Sequence, residues 1–438
     1  MLSIRSTCDR SWMRPSAKTK IFATLWALLL AASHVRGQNV ETSPATADAA
    51  ATTESETVVV SEKAKEIHFK SYIFDGHNDL PWAVRSNGSR SFEVLDISKP
   101  QPELHTDIER LKQGGVGAQY WSVYVPANTA ESGKSHQMTL EQIEIVKAMC
   151  EKYPDVFAYA ESYDDIIEAR KQGKIASLIG VEGGHSIENS IEKLRRLYKL
   201  GARYMTLTHS DTLDWADSCS DESKSGGLSA FGEEVVREMN RMGMLVDISH
   251  VSPETMQDAL DISEAPVIFS HSSARGIADH PRNVPDEILK QLPDDGGVVM
   301  INFYSGFVVP EAIKTTRDMF ERTRALREKY GDDEESIRRE SAAFRAKYPV
   351  PRGTVHDLAD HIDHVVKLAG VEHVGIGSDY DGVGRLPKQM DDVSTYPVLT
   401  QVLLDRGYSE SDIHKIMSEN VLRVIQAAEV VATKLQAD

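Results

Sequence analysis

The stretch IFDGHND (73–79) is an apolar run that ends in a histidine and an aspartate two residues apart. Along an extended strand, side chains alternate between faces. His77 and Asp79 therefore project together, while Asn78 faces away and is expected to tolerate replacement better than either neighbour. An imidazole beside a carboxylate suits a divalent cation such as zinc. It equally suits a plain strand end, with Asp79 opening the turn before Leu80-Pro81. Two ligands do not close a metal site, so the choice falls to the rest of the chain.

Seven further apolar, β-branched runs follow: Val116–Val125, Ile175–Glu182, Arg203–His209, Leu245–His250, Val267–His271, Gly297–Tyr304 and Val374–Asp379. Amphipathic stretches lie between them, among them Thr139–Lys152, Ile187–Leu200, Phe231–Met242, Pro253–Leu260 and His356–Leu368. Strands alternating with helices predict a parallel α/β fold, and a count of eight favours a (β/α)8 barrel of the TIM type over an open sheet. Lys314–Tyr348 is dense in Arg, Lys and Glu and predicts one or two exposed helices inserted between the seventh and eighth strands. Its mixed signs favour a solvated face over a basic binding surface. Ser409–Leu435 predicts a closing helix, and no internal repeat is present.

Barrel active sites sit at the C-terminal ends of the strands. Six of the eight predicted strands end in a histidine or a carboxylate: His77 with Asp79, Glu182, His209, His250, His271 and Asp379. One histidine at a strand end is more often a hydrogen-bonded structural residue than a ligand, but convergence of this kind on one face is hard to attribute to chance. Three histidines, an aspartate and a glutamate exceed what a lone catalytic zinc takes from a protein. Glu182 falls between the His77/Asp79 pair and the His250/His271 pair, as a bridging carboxylate would. Two cations ~3.5–4 Å apart can share a hydroxide and clamp a carbonyl, which is hydrolytic chemistry with no Ser or Cys nucleophile. Consistently, the chain has no G-x-S-x-G elbow and no G-x-G-x-x-G after a strand. His185 and Tyr304 lie near this face without being counted as ligands. His356, His361 and His364 fall on the helix before the last strand, where packing or surface roles are expected.

The balance is acidic, 49 Lys+Arg against 67 Asp+Glu over 438 residues, which argues against a nucleic-acid surface. Basic residues precede the apolar run Ile21–Ala32, so residues 1–37 read as a secretory signal peptide, 38–65 as a disordered linker, and 66–438 as the folded domain. A secreted or periplasmic protein without stable membrane insertion is expected. The C-terminus lacks the hydrophobic tail of a lipid-anchor signal. Asn87-Gly88-Ser89 is a glycosylation sequon. Cys8 would leave with the signal, and in an oxidising compartment Cys150 and Cys219 are more readily a disulfide than two free thiols.

The segments FDGHNDLPW (74–82), GVEGGHS (180–186), TLTHSDTLDWAD (206–217), LVDISHVS (245–252), VIFSHSSARG (267–276), HPRNVPD (280–286) and GIGSDYDGV (375–383) resemble the renal, or membrane, dipeptidase family. The resemblance runs from about Ile67 to about Val424. It implies a zinc-dependent barrel hydrolase of dipeptides, with β-lactam opening as a side activity. It implies His77 and Asp79 on one Zn2+, His250 and His271 on a second, and Glu182 bridging. It places His209 near the substrate carbonyl, Arg282 on the substrate carboxylate, and Asp379 as the carboxylate that handles the proton. Read alone, Arg282 would be a surface ion-pair partner and Asp379 a turn cap, a role that suits Asp381 better. The sequence departs from animal members of the family, which usually carry a Cys shortly after the residue matching His209. Here Ser210-Asp211-Thr212 stand there, and Cys219 comes later. Members often form homodimers, but no interface signature appears. Another small amide or ester as substrate, or a non-catalytic ligand-binding barrel, stays open on the residues alone.

Overall fold

The computed structural model describes residues 57–331 and 333–437. The expected signal peptide, most of the expected linker and Cys8 lie outside the described residues.

Among the described residues, nine parallel strands form one sheet: β1 (Ile73–Asn78), β2 (Val116–Ser122), β3 (Phe157–Tyr159), β4 (Ile175–Glu182), β5 (Ala202–Thr206), β6 (Leu245–Asp247), β7 (Ile268–Phe269), β8 (Val298–Ile301) and β9 (Val374–Ile376). Neighbours run β2-β1-β9-β8-β7-β6-β5-β4, and β4 pairs back onto β2 from Ala118↔Ala176 to Ser122↔Gly180. That pairing closes an eight-stranded (β/α)8 barrel. The unpredicted β3 pairs only with the start of β4, on the edge that β5 takes up further along. Three residues are too few to show a period in the sequence.

Strands of a closed parallel barrel are covered on both faces and read as continuous apolar runs. All eight residues of β4, IASLIGVE, are buried. The barrel interior is filled by Phe74, Tyr120, Leu178, Tyr204, Ile268 and Met300. Tyr120 stacks on Phe74 with centroids 5.6 Å apart and leans on Tyr204 at 4.8 Å. Gly180 makes room for this arrangement, because a Cβ there would collide with the Tyr204 ring. The outer helices bury one stripe each, such as Ile191, Leu194 and Leu197, or Val235, Val236, Met239 and Met242. Ser190, Ser229 and Ser252 accept a backbone N–H of the first turn of their helices, worth about 1 kcal/mol per cap.

Two expectations need correction. The folded domain starts before residue 66: Ser61 caps the helix Glu62–Lys70, which buries Ala64, Ile67 and His68. The side-chain amide of Gln389 pairs with both backbone groups of Val58, and the Ser61 N–H donates to Gln401. The second correction concerns Cys150 and Cys219, which are both free. Cys150 ends the helix Ser135–Lys152 and meets Ser177 at the start of β4, where burial pushes its thiol up to about 12. The Cys219 N–H donates to the His250 carbonyl at the other end of the barrel. A disulfide needs Cα atoms within about 7 Å, and an eight-residue strand separates these two levels. Among the described residues, no helix is long and apolar enough to cross a membrane.

The histidine cluster before β9 is structural, as expected. His361 is fully buried; its Nδ1 accepts the Ala274 N–H at 2.9 Å and its Nε2–H donates to the Val308 carbonyl at 3.0 Å. His364 meets Asp286 at 2.8 Å. Burial holds His361 down to about 4. The native state thus favours the neutral ring, and its contribution is complete above the unfolded pKa near 6.5. It is lost as pH falls from there toward 4, by about 3 kcal/mol in all. In urea titrations of chelator-treated protein between pH 7 and 4.5, His361→Asn should show a shallower loss of stability with acid than the wild type. Parallel slopes would remove His361 from the acid response.

Candidate metal centre and active site

A cleft of about 790 Å3 opens where the strands end, lined by Asp79, Glu182, His209, His250, His271, Arg282 and Asp379 among others. His77 lies fully buried beneath it. All eight residues singled out in the sequence therefore meet in one place. Most stand just past the strands: Asp79 joins β1 to the helix Leu80–Asn87, His209, His250, His271 and Asp379 lie in loops, and only His77 and Glu182 lie within strand bounds. His250 and Asp379 take left-handed backbone angles, φ 67° and 66°. Such conformations are uncommon outside glycine and recur at functional sites.

Glu182 is the hub. Its Oε1 lies 3.3 Å from His250 Nε2, 3.5 Å from His271 Nε2 and 3.6 Å from His209 Nε2, while Oε2 lies 3.5 Å from His77 Nε2. Ser122 donates to Oε2 at 3.1 Å. Two further pairs flank this hub. His77 Nε2 lies 3.2 Å from Asp79 Oδ2, and the Nε2 atoms of His250 and His271 stand 2.9 Å apart. Both spacings approach the roughly 3.3 Å between two donors bound tetrahedrally to one zinc at roughly 2.0–2.1 Å.

The tautomers point the same way. The Tyr204 hydroxyl gives its proton to the Gly76 carbonyl at 3.3 Å, so at 2.9 Å it accepts from His77 Nδ1–H. The Ser270 hydroxyl gives its proton to Asp247 at 2.6 Å, so at 2.8 Å it accepts from His271 Nδ1–H. In each ring, Nε2 keeps a lone pair aimed into the site. His77 Nε2 is buried without a hydrogen-bond partner. A ligand histidine whose other nitrogen is held by an acceptor is the usual arrangement around a metal. The donor set thus fits divalent cations. Removing one such orienting acceptor costs about 10–100-fold in metal affinity, so Ser270→Ala should weaken zinc binding by that factor in a competition titration with a chromophoric chelator. An unchanged affinity would mean that the His271 ring is oriented by other contacts.

One local device builds both flanks. Asp75 accepts from the His77 N–H, from the Ser378 N–H and hydroxyl, and from the Tyr396 hydroxyl. Asp247 accepts from the Ser249 N–H, from the Ser270 N–H and hydroxyl, and from the Thr206 hydroxyl. Each buried carboxylate locks the end of its own strand to the next strand round, β9 in one case and β7 in the other.

Charge in the cleft is set by crowding. Burial alone would raise Glu182, but His77, His209 and His250 hold it well below the usual carboxylate range. Burial, then Arg282 and the neighbouring imidazoles, push His250 and His271 down. Asp379 is pushed up to about 8, first by burial and then by Asp79 and Glu182. Asn302 donates to its Oδ2 at 2.9 Å.

Arg282 is only 2% exposed. Its guanidinium donates to the Ser272 hydroxyl at 3.2 Å and to the His271 carbonyl at 3.1 Å, and its Nε is buried without a partner. No carboxylate among the described residues lies within ion-pair range of it. Asn78 does face away from the site, but it is fully buried, donating to Thr106 and accepting the Leu80 N–H. Its expected tolerance to replacement is therefore withdrawn: substitution would strand buried polar partners. His185 is structural: its Nε2–H donates to the Val125 carbonyl at 3.0 Å. Asp381 accepts the His105 N–H at 2.7 Å, a tie between distant loops and not the local turn cap expected of it.

A family model described as membrane dipeptidase, peptidase family M19, matches residues 61–438. The chain belongs to the membrane dipeptidase family. Membership makes it a metallopeptidase, a hydrolase of peptide bonds, and accords with the donor cradle described above. Solved structures repeat the barrel. The probable dipeptidase PvdM from Pseudomonas aeruginosa has TM-score 0.73 and 23% identity, covering 84% of this chain and 98% of that one. An amidohydrolase from the same organism has TM-score 0.64 and 26% identity over 83% and 98%. A metallo peptidase from Rhodobacter sphaeroides, liganded with a phosphinate mimic of the dipeptide L-Ala-D-Ala, has TM-score 0.67 and 21% identity over 82% and 99%.

Proposed function

We propose that this membrane dipeptidase family member is a two-zinc dipeptidase, secreted or periplasmic by way of its N-terminal segment. The carrying observation is the combination of the Glu182-centred donor cradle with the buried, unpaired guanidinium of Arg282 in one cleft. His77 and Asp79 would hold one zinc, His250 and His271 the other, and Glu182 both. When bound, the pair of ions supplies Lewis acidity, acidifying a shared water and polarising the scissile carbonyl.

The protein's own groups do the rest. Arg282 takes the C-terminal carboxylate of the substrate, using a fork already anchored on the backbone of His271. That anchor ties the carboxylate site to a ligand residue and so measures one residue beyond the scissile amide, which selects dipeptides. His209 lies 3.6 Å from Glu182 on the wall and is placed to stabilise negative charge growing on the carbonyl oxygen. Asp379 stands beside His77 and Asp79, placed to pass a proton to the departing amine, and Asn302 fixes its orientation. The phosphinate dipeptide mimic in the R. sphaeroides neighbour is a compatible ligand type. A β-lactam offers a strained amide with a nearby carboxylate, and the same groups would suit it as a side substrate.

The test is a dipeptide panel run on chelated protein, with and without zinc add-back, beside a metal assay. Activity should vanish on chelation and return with about two zinc ions per chain. Fewer than about one ion per chain, or hydrolysis that ignores chelation, would overturn the reading.

A further inference from the structure

The cleft holds more cations than one dipeptide carboxylate requires. Arg345 and Arg385 line it as well as Arg282. Arg345 comes from the inserted helix pair Ile313–Tyr330 and Glu334–Lys347, and Arg385 from the loop that follows Asp379. Along the insert, Lys314, Arg317, Arg322, Arg327 and Lys329 each stand within ion-pair range of a carboxylate. Among the described residues, neither Arg345 nor Arg385 has such a partner. Arg385 Nε donates to the Val350 carbonyl at 3.0 Å, which seats its guanidinium on a residue that itself lines the cleft. In a chain with a formal charge of −18, two unpaired guanidiniums on one cleft wall call for an anionic ligand.

Their placement says which part of the substrate they meet. The Arg282 guanidinium packs over the Phe307 ring at 5.3 Å, and Phe307 meets Tyr304 edge-on at 4.8 Å. Tyr304 in turn lies close enough to Arg345 to feel its charge. This row leads from the proposed carboxylate site to Arg345, and beside Tyr304 the Ser305 N–H donates to the Arg385 carbonyl at 2.9 Å. A side chain on the C-terminal residue of a bound dipeptide would leave along this row.

We propose that Arg345 and Arg385 form a side-chain subsite that selects dipeptides whose C-terminal residue is acidic. The inference rests on the dipeptidase reading and narrows its substrate class. Exposed ion pairs are individually weak, so the two arginines together are expected to supply about a tenfold preference, sensitive to salt.

The test compares kcat/KM for Ala-Asp with Ala-Asn and for Ala-Glu with Ala-Gln, with either configuration of the C-terminal residue, on the zinc-loaded protein at low and high salt. Asp-Ala and Asn-Ala serve as the reversed pair. The wild type should favour acid over amide about tenfold at the C-terminal position, less at high salt, and the ratio should approach one in R345Q/R385Q. Equal turnover of acid and amide by the wild type would overturn the proposal. So would a preference confined to the N-terminal residue, or one that survives in a folded double variant. If the double variant misfolds, the wild-type ratio and its salt dependence still decide. Hydrolysis of neutral dipeptides separates the two layers: without it the dipeptidase reading itself fails, whereas with it only the subsite is at stake.

Discussion

Glu182→Gln is expected to bind at most one zinc per chain and to lose at least about 10⁴-fold in kcat/KM, equivalent to ~5.5 kcal/mol of transition-state stabilisation. The two side chains have the same shape, so the effect is electronic. Glu182 faces the Nε2 atoms of four histidines at 3.3–3.6 Å. An amide turns one of its two acceptor oxygens into a donor, and a donor cannot share a cation. The proton on that nitrogen would also face ring lone pairs already aimed inward by Tyr204 and Ser270. Folding should survive, because Ser122 can still donate to the amide oxygen. Metal analysis and kcat/KM of the purified variant, together with a melting curve in chelator, read all three expectations. Two tightly held zinc ions with activity within tenfold of the wild type would refute the bridging role.

Arg282→Met is the second large effect. Methionine keeps much of the stem and its packing on Phe307 but removes the fork. Loss of one partner from a desolvated charge pair costs about 2–5 kcal/mol, so kcat/KM for free dipeptides should fall about 10²–10³-fold. Dipeptide amides lack the carboxylate and should lose far less. The split between the two substrates is the readout, because a merely disordered cleft would harm both alike. Equal losses would take Arg282 out of carboxylate recognition.

The barrel and the ligand set were legible in the sequence because both rest on period and position. Continuous apolar runs such as IASLIGVE (175–182) mark strands covered on two faces, and a histidine or carboxylate after each run falls at one end of the barrel. The groups that orient the ligands left no such mark. Tyr204 reads as an ordinary core aromatic, Ser270 as a polar residue in a strand end, and Asp247 as one acid among 67 Asp+Glu. Their roles come from neighbours 20 to more than 120 residues away, and only the closed barrel supplies those neighbours. The paired use of Asp75 and Asp247 was hidden for the same reason. The insert misled in another way. Its mixed charge correctly announced exposed helices, but composition cannot say that Met319, Phe320 and Arg345 turn toward the cleft. The cysteines misled because pairing was argued from compartment, whereas one thiol lies at each end of the barrel.

Gly180 bears on how this protein could be engineered. Replacing glycine in a regular strand usually stabilises a protein, by narrowing the freedom of the unfolded chain. Position 180 lies mid-strand with ordinary backbone angles and would be chosen for that purpose. Here the missing methyl is the space through which the Tyr204 ring reaches His77. Core packing and metal affinity therefore meet at one atom, so Gly180→Ala should lower the melting temperature of the metal-free protein and weaken its hold on metal together.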